Sequence, residues 1–184
     1  VENGKRLCYD VKSKLYKVMP GADAFIVMKN FENETVWKNS ACRTYHLGDD
    51  VLGLEWYTKM GSIGGEVLEG IQRSIALTED KYKGLVIANE GSNFSAGANV
   101  GMIFMMAIEQ DYDEIDMAIR QFQQTMMRVR YSGIPVVVAP HGLALGGACE
   151  MSLHADKVIA AAETYTGLVE VGIGVIPGGG GTKE

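Results

Sequence analysis

Three short apolar runs, 84–89 (GLVIAN), 134–140 (IPVVVAP) and 157–162 (KVIAAA), recur along the chain. Runs of this length without polar alternation suit strands buried on both faces, the setting of a parallel sheet covered by helices. Parallel neighbours need crossover connections long enough for a helix. Residues 100–130 supply one: Ile115, Ile119, Phe122, Met126 and Val129 form an apolar stripe at helical spacing. Residues 62–77 supply another, with Ile63, Val67, Ile71 and Ile75 every four positions and Ser62 as the expected N-cap. Upstream, ACRTYHLGDDVLGLEWY (41–57) reads as two strands about a Gly48-Asp49 turn, with Leu52, Leu54 and Trp56 on one face. The expected fold class is therefore α/β, with helices alternating with buried strands. A chain of 184 residues, 47% of them hydrophobic, can bury such a core.

Residues 1–40 differ. They are polar, locally basic and broken by Pro20-Gly21, and they read as a linker or arm, with a short helix expected over 23–31. Val1 is not an initiator, and the chain stops just after a glycine run, so a piece of a longer protein is expected.

Several function classes drop out. Seventeen Lys and Arg against 23 Asp and Glu leave a net charge of −6, which argues against a nucleic-acid surface. No apolar run approaches the roughly 18 residues of a membrane span, and no signal peptide is visible. Cys8, Cys42 and Cys149 are odd in number and widely spaced, so neither a disulfide framework nor a metal site is expected, and the cytoplasm is the expected compartment. The glycine runs fail both nucleotide-loop patterns: in GIGVIPG Pro177 holds the position of the last glycine of G-x-G-x-x-G, and GGGGTKE lacks the GK[ST] ending.

Two loop-to-helix turns remain, FSAGAN (94–99) and ALGGACE (144–150), each following a buried strand. Glycines let backbone come close to a ligand, and a helix N-terminus leaves free N–H groups at its positive end. Two such turns aimed at one point would hold an oxyanion; plain tight packing of helix on strand is the ordinary alternative. Glu150 falls in the first helical turn, where a carboxylate also simply offsets the helix dipole. Glu170 lies in the apolar stretch GLVEVGIG, or else on an exposed loop. Two carboxylates about one water are a recurring acid/base arrangement.

SAGAN, followed by ALGGACEMSLHADKVIAAAETYTGLVEVGIGVIPGGGGTKE, resembles the crotonase (enoyl-CoA hydratase/isomerase) superfamily over residues 41–184. The resemblance implies a spiral of ββα units, here without its C-terminal helices, acting on an acyl-CoA thioester. It implies an oxyanion hole from the backbone N–H groups of Ala96 and Gly147. Glu150 and Glu170 would hold the water added across a 2,3-double bond, assisted by the backbone of Gly178. Having both glutamates favours a hydratase over isomerases and other reactions of the superfamily. Lys59 falls where CoA phosphate is often met. Ala98, Met102 and Met105 fall where the acyl-CoA lies, although the methionines also suit ordinary core packing. Asn99 departs from the aspartate common at its position. The arm of 1–40 resembles the connector of proteins that join a 3-hydroxyacyl-CoA dehydrogenase to a hydratase. The resemblance thus implies fatty-acid β-oxidation, with NAD bound by the dehydrogenase part and no cofactor in this segment. His46, His141, His154 and Cys149 are expected to be structural. Apolar surface near the C-terminal end is expected to drive homo-oligomer formation.

Overall fold

The computed structural model describes residues 7–21 and 26–183. In chain order it contains β1 (Leu7–Asp10), β2 (Leu15–Val18), β3 (Thr35–Lys38), β4 (Cys42–Gly48), β5 (Val51–Trp56), α1 (Gly65–Lys81) and β6 (Gly84–Ala88). There follow α2 (Val100–Glu109), α3 (Tyr112–Arg130), β7 (Val136–Ala139), β8 (Leu143–Leu145), α4 (Gly147–His154), β9 (Lys157–Val158) and β10 (Tyr165–Gly167).

The main sheet has the order β3-β4-β5-β6-β7-β9. Its first three strands are antiparallel, and β5, β6, β7 and β9 run parallel. α1 carries the chain from β5 to β6, and α2 with α3 carries it from β6 to β7, as parallel pairing requires. Leu52, Leu54, Ile71, Ile75, Leu85, Ile87, Val136 and Val138 are fully or almost fully buried between sheet and helices. A buried hydroxyl pair, Thr44 Oγ1 and Ser74 Oγ at 2.7 Å, ties β4 to α1. Arg128 of α3 and Glu79 of α1 form a two-point ion pair, with Nη1 to Oε1 at 2.8 Å. The mixed α/β architecture is as expected from the sequence.

Four local expectations fail for identifiable reasons. α1 begins at Gly65 with Gly64 as its N-cap, because Ile63 is held extended: its N–H donates to Gly97 O at 2.9 Å. Ile63 is nonetheless 3% exposed, so its place in the apolar pattern reflects burial in a β-bridge to Ala98. The helix expected over 100–130 is two helices, broken where Gln110 turns left-handed (φ 63°) and closes α2. The run 157–162, expected as a buried strand, is a strand only over Lys157–Val158, although Ile159 and Ala161 N–H still donate to Val138 O and Pro140 O at 2.9 Å; it is exposed, because β9 is the sheet edge and has one neighbour. Within the expected arm, β1 and β2 make a hairpin and β3 joins the main sheet, so sheet structure starts before residue 41.

The helix expected over 23–31 falls partly outside the described residues; Met28–Glu34 is a 3-10 helix. This turn sits on the main sheet: Met28 is 4% exposed, its N–H donates to the Glu90 carboxylate, and Glu32 pairs with Arg43 at 3.3 Å. Burial raises the Glu55 carboxyl above its ordinary range at this junction. Burial also pushes the Cys42 thiol up to about 12, which makes it unreactive. Among the described residues, no helix is long and apolar enough to cross a membrane, and no cluster of His, Cys, Asp or Glu can hold a metal ion.

Candidate active site

The first turn is built from the end of β6. Asn89, 8% exposed, accepts from Trp56 N–H at 2.9 Å through Oδ1 and donates to Phe94 O at 2.7 Å through Nδ2. One amide side chain thereby joins the end of β5 to the loop after β6. Ser95 then runs alongside β8: Ser95 N–H donates to Leu143 O at 2.9 Å, and Leu145 N–H donates to Ser95 O at 3.0 Å. The buried Ser95 hydroxyl accepts from Gly97 N–H at 3.0 Å and closes the turn.

Gly97 has φ +89°, a conformation that disfavours a side chain. A Cβ there would also stand 2.8 Å from Leu145 O and 3.4 Å from Gly147 N. The two glycine turns therefore meet backbone to backbone. α4 starts at Gly147, so the positive end of its dipole points at this junction.

The N–H groups of the junction divide into used and free. Ala96 N–H, expected as an oxyanion donor, donates to Met60 O at 3.1 Å and is committed to the protein. That corrects the expectation for Ala96. Ala98 N–H and Gly147 N–H have no acceptor among the described residues. The same tally separates the glycines of the 178–181 loop. Glu150 Oε1 accepts from Gly179 N–H at 2.8 Å and from Gly181 N–H at 3.0 Å. Gly178, expected to help through its backbone, has its carbonyl held by Gln123 Nε2 at 2.8 Å, while its N–H has no acceptor among the described residues.

Both carboxylates come to these turns. Glu150 is 2% exposed, one helical turn beyond Gly147. Glu170 opens a 3-10 turn after β10. β10 pairs in parallel with β8, and Gly146 N–H donates to Gly167 O at 2.9 Å, which brings Glu170 back beside Gly146. A Cβ on Gly146 would lie 3.0 Å from Glu170 Oε1. Glu170 Oε2 is buried with no hydrogen-bond partner among the described residues, so it is a ready acceptor for a polar ligand atom.

The outer expected residues are less enclosed. Lys59 is exposed on a 3-10 turn that docks on the first glycine turn through Met60 O and Ala96 N. Met102 and Met105 lie on α2, 53% and 54% exposed, so they are not core packing. Asn99 caps α2 by accepting from Met102 N–H at 3.3 Å. His46 meets the Tyr82 ring at a tilt of 46°, and His141 Nε2 meets Gly91 O at 2.7 Å. The buried His154 ring bonds Glu150 O through Nδ1 at 2.7 Å, and Cys149 is 7% exposed.

Asn89, Ser95, Phe122 and Gln123 were not singled out for the site from sequence. A polar residue ending a buried strand, and a serine two before a glycine, are signals that would have found the first two. Phe122 was placed on the helical stripe, but nothing in its spacing shows that its ring lies against both Gly147 and Gly179. Gln123 had no such signal.

A family model described as enoyl-CoA hydratase/isomerase matches residues 58–184. The chain is 50% identical over 147 residues to a "Probable 3-hydroxyacyl-CoA dehydrogenase" of Bacillus subtilis (strain 168), covering 80% of this chain and 19% of that protein. Among solved structures, an enoyl-CoA hydratase from Bacillus anthracis superposes with a TM-score of 0.70 at 28% identity, covering 78% of this chain and 56% of that one. An enoyl-CoA hydratase from Thermoplasma volcanium GSS1 gives a TM-score of 0.68 at 25% identity, covering 78% and 57%. The chain thus spans about a fifth of the Bacillus subtilis relative and just over half of the solved hydratases. Its sequence and its fold agree: the chain belongs to the enoyl-CoA hydratase/isomerase family.

Proposed function

We propose that this chain carries a 2-enoyl-CoA hydratase site that adds water, syn, across the double bond of a 2-enoyl-CoA thioester in fatty-acid β-oxidation. The observation that carries the reading is the pair of carboxylates, buried Glu150 and half-buried Glu170 with its Oε2 enclosed, beside the junction where two unengaged N–H groups, Ala98 and Gly147, are brought by touching turns. The thioester oxygen sits between those N–H groups, with donor distances of about 2.7–3.1 Å, and charge developing there as water attacks C3 is stabilised. A water O–H bond breaks as the C3–O bond forms, and C2 receives a proton; Glu150 and Glu170 share the removal and delivery. The Gly178 N–H helps hold the water. Lys59 meets CoA phosphate at the mouth, and Met102 and Met105 flank the acyl chain.

We assign no metal and no cofactor to this segment. The dehydrogenase step, and NAD with it, belong to the rest of a longer bifunctional chain of the kind the Bacillus subtilis relative's name describes. The hydratase unit covers residues 41–184 together with the strand and turn at 28–38 that pack on its sheet, and the cytoplasm is its compartment.

The test is hydration of crotonyl-CoA by the full-length protein in ¹⁸O-labelled water. Glu150→Gln and Glu170→Gln should each lower kcat by roughly 10²–10⁴, with CoA binding changed no more than a few-fold. Wild-type rates in both variants, or double-bond migration without ¹⁸O uptake, would overturn the reading.

A further inference from the structure

We propose that Gln123 is a positioning residue for Glu150 and acts through a single peptide plane, which rests on the hydratase reading above. The carbonyl of Gly178 and the N–H of Gly179 belong to one rigid planar unit and point in opposite directions. Gln123 Nε2 donates to that carbonyl at 2.8 Å, and that N–H donates to Glu150 Oε1 at 2.8 Å. The plane is thus gripped at both ends, with α3 on one side and the carboxylate on the other. Donation to the carbonyl polarises the peptide and strengthens its own N–H as a donor.

The neighbouring residue on α3 works in the same place. The Phe122 ring lies where a Cβ on Gly147 or Gly179 would have to go. It sets the separation between the start of α4 and the glycine loop, and Gln123 sets the tilt of the loop's peptide. Gln123 is exposed and makes no other hydrogen bond among the described residues, so folding does not call for an amide there. If the plane tilts, Gly179 N–H leaves Oε1 and the carboxylate rotates on its remaining bond to Gly181 N–H, out of register with the water.

The experiment compares Gln123→Met, which keeps length and loses the donor, with Gln123→Lys, which keeps a donor, in the full-length protein. Gln123→Met should lower kcat about 3- to 10-fold, the worth of one hydrogen bond, and leave KM within about two-fold. Gln123→Lys should stay near wild type. In a Glu150→Gln background, Gln123→Met should have almost no further effect, because the group it positions no longer acts. Hydrogen exchange at the Gly179 amide reads the same contact without turnover and should quicken in Gln123→Met alone. That readout separates failure of this proposal from failure of the hydratase reading, which shows in the wild type. Equal losses with and without Glu150, a Lys variant as slow as the Met variant, or unchanged exchange at Gly179 would overturn it.

Discussion

Replacing Gly97 with alanine should damage the activity of the folded protein as well as its stability. Two costs arise at this position. A non-glycine residue at φ +89° costs about 1–2 kcal/mol. The new Cβ would also lie 2.8 Å from Leu145 O, about 0.6 Å inside ordinary contact. A backbone carbonyl yields only by moving backbone, an overpacking strain of about 1–3 kcal/mol. The total, roughly 2–5 kcal/mol, predicts a fall in Tm of about 5–15 °C for a domain of this size. The backbone that yields is Leu145, two residues before Gly147, so the Gly147 N–H is displaced by several tenths of an ångström. Oxyanion donors tolerate little of that, and misplacement of this kind costs kcat about 10²-fold. Gly65→Ala is the control, since nothing lies within 4 Å of its would-be Cβ and it stands at the start of α1. Steady-state hydration of crotonyl-CoA and thermal melting of both variants provide the comparison. If Gly97→Ala melts lower yet keeps the kcat of Gly65→Ala while folded, the contact between the two turns has no part in catalysis.

Two further expectations concern stability and assembly. The Arg128 guanidinium, and after it the Gly133 N–H, hold the Glu79 carboxyl below its ordinary range. A group whose pKa is depressed on folding stabilises above its unfolded value and loses that contribution as pH falls through its folded value. Glu79→Gln should therefore be less stable than wild type by up to about 1 kcal/mol near pH 7, given its partial exposure, and denaturant titrations should show the gap closing below about pH 4. The exposed apolar residues Phe104, Ile108, Val171 and Ile176 should make residues 1–184 self-associate. Sedimentation velocity should show species above the monomer that Val171→Lys with Ile176→Lys reduces; a monomer at all concentrations would count against this surface.

Burial was the most readable property of the sequence. Ile63, Val67, Ile71 and Ile75 are all core residues, yet Ile63 is extended rather than helical, because apolar spacing reports which face is buried and not which backbone carries it. The break at Gln110 was hidden for a related reason: α2 is apolar on nearly every face, so no change of phase marks its end. The glycine turns and both glutamates could be named only through the family resemblance, because glycine at a tight turn and a carboxylate in a first helical turn also have ordinary structural uses. Which N–H of a turn is free could not. Ala96 and Ala98 are the same residue type either side of Gly97, and only the position of Met60 O, brought from a turn thirty-odd residues earlier in the chain, decides that Ala96 is spent. The same holds for Gly178 against Gly179 and Gly181, which are indistinguishable letters until Glu150 Oε1 selects two of them.

The pairing of β10 with β8 sets what evolution or an engineer can lengthen without harm. Gly167 stands opposite Leu145, and Glu170 follows three residues later. The separation of Glu170 from Glu150 along the chain is therefore incidental; its distance past the register of β10 is what counts. Residues 162–163 are exposed and lie beyond the last hydrogen bond to the main-sheet side, Ala161 N–H to Pro140 O at 2.9 Å, so insertions or deletions there are taken up as a longer or shorter loop, with the carboxylate left in place. A single residue added between 167 and 170 shifts the carboxylate along the chain by about 3.3 Å, the rise of one extended residue. Two relatives of unequal length between their glutamates can share one chemistry, and two of equal length can differ, according to which side of Gly167 the change falls.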